Sequence, residues 1–176
     1  MHATNCTLLK PSCLRMGTVR LAGRLLMLSG LLLASGLVHQ SDAVTYDKQR
    51  DAFLEAVAIV ETNGNPRAVG SLGERGLYQF TRTTWKQHTK RSHYEAHDPN
   101  YSTVIARKHY DWLYQHLSNR GFPPSPYWLA VAWNSGLKRT TSGRFPSVSR
   151  QYAERVTNLV FDSQRQLLAM NRAPRR

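Results

Sequence analysis

Residues 61–80 read ETNGNPRAVGSLGERGLYQF, and the chain changes character where this segment begins. The residues just before it place apolar side chains at helical spacing: Phe53, Leu54, Val57, Ala58 and Val60. That pattern predicts a helix over 47–62, which the turn formers of residues 63–66 end. The glycines that follow predict irregular structure, or a small hairpin, near residues 66–80.

The rest of the chain predicts further helices and no repeat, so we expect a mainly α domain. One helix should begin near Thr81, and a longer one should run to Asn119 from an N-cap at Asp98. A nearly all-apolar, central helix is expected from Pro126 until Gly136 ends it. Residues 138–147 predict a polar loop, residues 149–170 predict the last helix, and residues 171–176 predict a frayed tail.

Residues 1–43 have the composition of a signal peptide. Arg20 and Arg24 precede an apolar run over 25–38, which is shorter than the roughly 20 residues of a membrane span. We expect cleavage after Ala43 and a mature domain of residues 44–176. Met16 gives a more ordinary leader than Met1, and both starts stay open. Both cysteines precede the apolar run, at positions 6 and 13, so the mature chain contains none for a disulfide or a metal site.

The mature chain is strongly basic, with a formal charge of +10 for residues 44–176, because 20 Lys and Arg oppose 10 Asp and Glu there. Such a charge favours a polyanion: nucleic acid, anionic lipid, or a bacterial envelope with its carboxylates and phosphates. For an exported chain we expect the envelope, and a secreted or periplasmic monomer. The alternative is that the dispersed charge only aids solubility. No nucleic-acid-binding motif accompanies it.

Glu61 lies four residues after Val57 and three after Ala58, on the apolar face of the predicted helix. A carboxylate there loses hydration, so its pKa should rise towards neutrality. Cleavage of a glycosidic bond needs such a proton donor, because the leaving oxygen is a poor base. The alternative is a helix-terminal Glu that turns to solvent.

The run over residues 61–80 resembles, without a gap, the signature of the soluble lytic transglycosylase family of the lysozyme-like superfamily. Ala132-Trp-Asn-Ser-Gly136 is similar to that family's Ala-Tyr-Asn-Ala-Gly segment, and Tyr152-Ala-Glu-Arg-Val156 to its C-terminal Tyr-x-x-x-Val element. The resemblance covers residues from about 50 to 165. It implies a lysozyme-like fold of helices around a glycan-binding groove, with Glu61 as general acid and base. The substrate it implies is peptidoglycan, cleaved between N-acetylmuramic acid and N-acetylglucosamine with 1,6-anhydro products.

Five further residues are expected to bind substrate. Gln79 and Asn134 carry amides that can hydrogen-bond to hydroxyl or N-acetyl groups, although such amides also serve as turn or cap residues. The resemblance implies that Tyr152 donates to Glu61; the alternatives are stacking on a sugar or a place in the core. Tyr78 replaces the family's usual Met in the groove, and Gly76 lets the backbone approach a sugar closely. Trp133, which stands where the family has Tyr, is interpreted as a core residue.

Glu74 is the candidate second carboxylate. Most members of the transglycosylase family have a small residue there, whereas goose-type lysozymes carry an acid thirteen residues after their catalytic Glu, as here. Across a groove, such a carboxylate can activate water. Alternatively, Glu74 pairs with Arg75 or another basic side chain and points away. Gly70 also departs from the family, which often has a substrate-contacting Ser at this position.

Three alternatives to a transglycosylase therefore stay open: a muramidase in which Glu74 assists water, a non-catalytic peptidoglycan-binding module, and a basic nucleic-acid binder. We expect no cofactor and no metal, because the five histidines of the mature chain form no HExxH or similar pattern and are typical of surface or helix-packing positions: His88, His93, His97, His109 and His116. Asp98 is explained as an N-cap, and Asp111 as a solvated helix residue.

Overall fold

The computed structural model describes residues 25–172, and it is mainly helical. Two predictions fall on other residues: residues 1–24 of the predicted leader, with Cys6 and Cys13, and the tail beyond Arg172. The chain divides into two units after Asp42, and the second holds the core and the site discussed below. Within the described part of the chain, no helix is both long and apolar enough to cross a membrane.

The helices are, in order, α1 Leu25–Thr62, α2 Arg82–His88, a 3-10 helix His93–His97, α3 Pro99–Ser118, α4 Pro126–Ser135, α5 Leu137–Thr141 and α6 Ser147–Arg172. The predicted helix ends after α1, α3 and α4 agree with these bounds to within a residue. The predicted start of the first helix was wrong, since α1 begins at Leu25 rather than near Asp47. No proline interrupts residues 25–62, so nothing in that stretch forces a break.

Capping residues explain where the helices begin. The side chain of Thr81 accepts from the Thr84 backbone N–H at the start of α2. That of Asp98 accepts from two backbone N–H groups of the first turn of α3. Ser125 caps α4, which ends where Gly136 takes a φ of 83°. These are the N-cap and glycine signals that the sequence carries.

The central helix is α4, as its composition predicted: Leu129, Ala130, Val131 and Ala132 are all at most 1% exposed. It packs against α3 and α6. From α1, Phe53 enters the same core and its ring meets those of Tyr110 and Trp133. Burial of these apolar side chains is the main source of stability in a domain without cysteines.

Two connections differ from the prediction. Residues 138–147 are not wholly a loop, because the short helix α5 begins at Leu137. The hydroxyls of Thr140 and Thr141 donate to backbone carbonyls one turn earlier. The 3-10 helix His93–His97, which Ser92 caps, was not foreseen. Both elements have five residues, too few for a periodic pattern.

Asp111 is not simply a solvated helix residue, and that interpretation was wrong. Its carboxylate accepts from the hydroxyl of Tyr46 at 2.8 Å and from Arg50 at 3.2 Å, in a partly buried cluster. Because Tyr46 and Arg50 lie on α1, this cluster ties α1 to α3.

Candidate active site

A cleft of about 320 Å³ opens where the C-terminal end of α1 meets the turns of residues 69–80. Five of the predicted site residues line it: Glu61, Glu74, Tyr78, Gln79 and Asn134. The rest of the lining comes from Gly70, Ser71 and Phe80, from the start of α2, and from His109 of α3 and Trp133 of α4. Segments that are far apart in sequence therefore meet at Glu61.

Glu61 is the next-to-last residue of α1 and is partly buried, as its place on the apolar face predicted. Burial raises its pKa to about 6, with a further rise from the nearby Glu74 and opposing effects from the Tyr152 hydrogen bond and from Arg155. A carboxyl group with that pKa keeps its proton in mildly acidic solution. It can therefore act as a proton donor.

Tyr152 stands behind Glu61 rather than in the lining of the cleft. It is 4% exposed on α6, and its hydroxyl donates to Glu61 Oε1 over 2.8 Å. Burial and the neighbouring carboxylate hold the pKa of Tyr152 well above its ordinary value, so the phenol keeps the proton that it donates. The structure thus brings Tyr152 and Glu61 together in the way that the resemblance implies.

Glu74 reaches into the cleft from a backbone turn. Its carboxylate accepts from the backbone N–H of Leu72 at 3.0 Å, and a side chain at Gly70 would collide with it. Of the alternative that Glu74 pairs with Arg75 or another basic side chain, the pairing with Arg75 is wrong, because the guanidinium of Arg75 lies over the ring of Tyr94 and contacts His97. The space beside Gly70 accounts for this orientation.

The two amides line the cleft and also hold the structure around it. Gln79 has a φ of 46°, and its Nε2 donates to the carbonyl of Gly76 over 2.9 Å. The Oδ1 of Asn134 accepts from the Ser149 hydroxyl over 2.7 Å, which directs the NH₂ group to other partners. Each residue therefore combines the turn or cap role with a place in the cleft.

Tyr78 and Gly76 differ in their access to a ligand. Tyr78 is only 5% exposed, its hydroxyl lies 3.0 Å from that of Thr103, and its ring forms part of the cleft floor beside Trp133. Gly76 is buried and does not line the cleft. With a φ of 75° and the carbonyl of Ala96 where a Cβ would stand, it is needed for packing against the 3-10 helix. Its contact with a sugar stays a prediction.

Sequence reasoning missed two residues of the cleft wall, His109 and Trp133. His109 was interpreted as a surface or packing residue, and Trp133 as core. One signal was available, because His109 lies four residues after Ile105 and four before Leu113, on the core-facing stripe of α3. In the described part of the chain, no group of three or more His, Cys, Asp and Glu residues is arranged to hold a metal ion.

A family model described as the transglycosylase SLT domain matches residues 42–147. The matched region includes the cleft residues from Glu61 to Asn134 and stops before Tyr152. No curated protein matches the chain significantly.

Proposed function

Because the chain belongs to the transglycosylase SLT domain family, we propose that it is a peptidoglycan lytic transglycosylase in which Glu61 is the general acid and then the general base. The bond cleaved is the β-1,4 bond between N-acetylmuramic acid and N-acetylglucosamine. The observation that supports this proposal is the environment of Glu61: a partly buried cleft carboxyl with its pKa raised to about 6 and a tyrosine donor at 2.8 Å.

The proposed reaction needs no water. The proton of Glu61 passes to the glycosidic oxygen as the bond between that oxygen and C1 of N-acetylmuramic acid breaks. The resulting carboxylate, stabilised by the hydroxyl of Tyr152, then takes the proton of the C6 hydroxyl of the same sugar. The C6 oxygen bonds to C1 and closes a 1,6-anhydro ring, so Glu61 ends protonated for the next cycle.

Mass spectrometry of purified peptidoglycan digested with the protein tests this reaction. Anhydro ends should accumulate, and each should be lighter than a reducing end by one water. Release of fragments that carry only reducing ends would contradict the transglycosylase proposal. If no glycan fragments are released, the alternative of a non-catalytic binding module gains support instead.

Hydrolysis is the second candidate, and the position of Glu74 favours it. Glu74 lines the same cleft and is close enough to raise the pKa of Glu61. A carboxylate there can take a proton from a water whose oxygen bonds to C1, which gives a reducing end. Under that reaction E74Q should lose about 100-fold or more in rate, as expected for removal of a general base. Under the transglycosylase reaction, E74Q should keep activity within about tenfold and still form anhydro ends.

We further propose that the protein acts outside the cytoplasm, in the envelope of a bacterium, as a monomer. The leader-like composition of residues 1–43 and the charge of +10 on residues 44–176 support this location. The N-terminal sequence of the exported protein should begin at Val44. Retention of the full-length chain in the cytoplasm would contradict it.

A further inference from the structure

His109 combines a core position with access to the cleft. It is 7% exposed, lies on α3 and lines the cleft beside Trp133. Its ring stacks on that of Trp112 at 5.9 Å and meets the edge of Trp133 at 4.8 Å. These ring contacts fix the imidazole plane, and the contact of Nδ1 with His88 fixes which edge of the ring carries each nitrogen.

One nitrogen of this ring is already occupied. His109 Nδ1 lies 2.9 Å from Nε2 of His88, which belongs to α2. The second nitrogen, Nε2, has no hydrogen-bond partner among residues 25–172. Since it is also absent from the fully buried atoms that lack a partner, it is accessible to solvent. A fixed polar atom in a cleft wall, with no protein partner, is positioned for a ligand.

Both rings of the pair are held neutral. Burial lowers the pKa of His109 to about 3, and burial together with Lys108 lowers the pKa of His88. In a neutral pair, one ring donates across the contact and the other accepts. If His88 donates, His109 Nε2 carries a hydrogen; if His109 donates, its Nε2 offers a lone pair. Because neither ring is charged, the pair offers a neutral donor or acceptor of the kind that suits an uncharged polar group.

We propose that His109 binds the glycan through Nε2, accepting from or donating to a sugar hydroxyl or acetamido group, and that His88 sets its tautomer. The inference rests on the proposed function, since it assumes that the cleft holds a glycan strand. Trp133 adjoins His109 with an aromatic surface for a sugar ring, and Asn134 follows with its NH₂ group. All three residues line the same cleft as Glu74.

Kinetics on peptidoglycan test the role of His109. H109F places an aromatic ring against Trp112 and Trp133 but removes both nitrogens. Loss of one neutral hydrogen bond should raise KM about fivefold while kcat changes less. H88F removes the partner of His109 Nδ1, so the tautomer of His109 is no longer set and KM should rise about twofold. H116F is the matched control, since His116 lies on α3 outside the cleft and bonds to the carbonyl of Trp112; its KM should be unchanged. An unchanged KM for H109F in a folded protein overturns the inference.

Nitrogen NMR separates ligand binding by His109 from a role in packing, because only binding changes the signal of Nε2 when a glycan is added. The measurement also does not require H109F to fold. The E61Q protein, labelled with ¹⁵N in its His and Trp side chains, is titrated with a β-1,4-linked N-acetylglucosamine tetrasaccharide. The inference requires a shift of His109 Nε2 together with the indole signal of Trp133. A shift of Trp133 alone overturns the His109 inference and leaves the proposed function standing. If neither signal moves and the unaltered protein cleaves no peptidoglycan, both are overturned.

Discussion

Glu61 and Glu74 line the same cleft, but a helix carries the first and a backbone turn carries the second. The carboxylate of Glu61 sits against α6 and receives a partly buried hydrogen bond from Tyr152. That of Glu74 receives an exposed bond from the backbone of Leu72. We call Glu61, His109, Trp133 and Asn134 the helical wall of the cleft, and residues 69–80 its turn wall. The helical wall thus desolvates its acid, while the turn wall presents its carboxylate to water.

The two walls also depend on different kinds of interaction. Contacts between α1, α4 and α6 fix the helical wall. A change of Glu61 or Tyr152 should therefore act mainly on the pKa of the acid and on rate. Backbone bonds close the turn wall: Gly70 N to Glu74 O at 2.9 Å and Gly76 N to Ala68 O at 3.0 Å. When a glycine of the turn wall is replaced by alanine, the loss in free energy of unfolding should depend on what the added Cβ meets. Backbone atoms cannot move away, whereas the end of a flexible side chain can.

The largest effect on stability is expected from G76A. A Cβ at Gly76 would overlap the carbonyl of Ala96, and its φ of 75° disfavours any other residue. Together these should reduce the free energy of unfolding by about 3–5 kcal/mol. Urea denaturation measures this loss. The matched control is G73A, whose φ is 83° but whose Cβ meets nothing within 4 Å; about 1–2 kcal/mol is expected there. Equal losses would show that the Ala96 contact is unimportant.

Removing the charge of Glu61 should stabilise the protein in alkaline solution. In the folded protein the pKa of Glu61 is about 6, above the ordinary 4.5. The protonated group therefore stabilises the folded state fully below pH 4.5, and this stabilisation is lost as the pH rises through 6. The ionised, buried group then costs ~2 kcal/mol. E61Q should therefore unfold at a higher temperature than the unaltered protein at about pH 8, with the difference shrinking at about pH 4. An E61Q protein that is less stable at the higher pH contradicts this account.

Y152F should change both the rate and its pH dependence. The hydroxyl of Tyr152 stabilises the ionised form of Glu61, so its removal should move the pKa of Glu61 further upward from about 6. The alkaline limb of kcat/KM should shift to higher pH, and kcat should fall about tenfold because the carboxylate formed on proton transfer loses its donor. A pH–rate profile measures both changes. A limb that moves to lower pH would contradict the assigned hydrogen bond.

The smallest effect is expected from G70A. Here a Cβ would meet the flexible ends of Glu74 and Gln79, which can turn away, so the loss of stability should stay below about 1 kcal/mol. The same denaturation series as for G76A measures it. Since the substitution displaces the Glu74 carboxylate, its product spectrum should match that of E74Q. A loss as large as that of G76A would show that the turn wall cannot adjust.

Sequence alone predicted the elements whose signals are local. The end of α1, the cap at Asp98, the start of α4 at Pro126 and the stop at Gly136 all follow from side chains within a few residues. The apolar spacing around Glu61 also predicted its partial burial. The Tyr152 contact joins residues 91 apart, and it came from the resemblance rather than from spacing.

What the sequence could not predict depends on contacts across the fold. The direction of Glu74 follows from the space at Gly70 and from the engagement of Arg75 with Tyr94. The partners of Asp111 and the contact of His88 with His109 join residues on different helices. No local pattern encodes such pairings, which is why Asp111 was interpreted as solvated and the contact of His109 with His88 was missed.

The most direct test of the role of Glu61 is the rate of peptidoglycan cleavage by E61Q, with E55Q as the matched control. Glu55 is exposed on the same helix and does not line the cleft, so E55Q should cleave at the unaltered rate. E61Q should lose at least about 100-fold, as expected for removal of a general acid, while remaining folded. Cleavage by folded E61Q at a rate near that of E55Q would contradict the assignment of Glu61 as the acid.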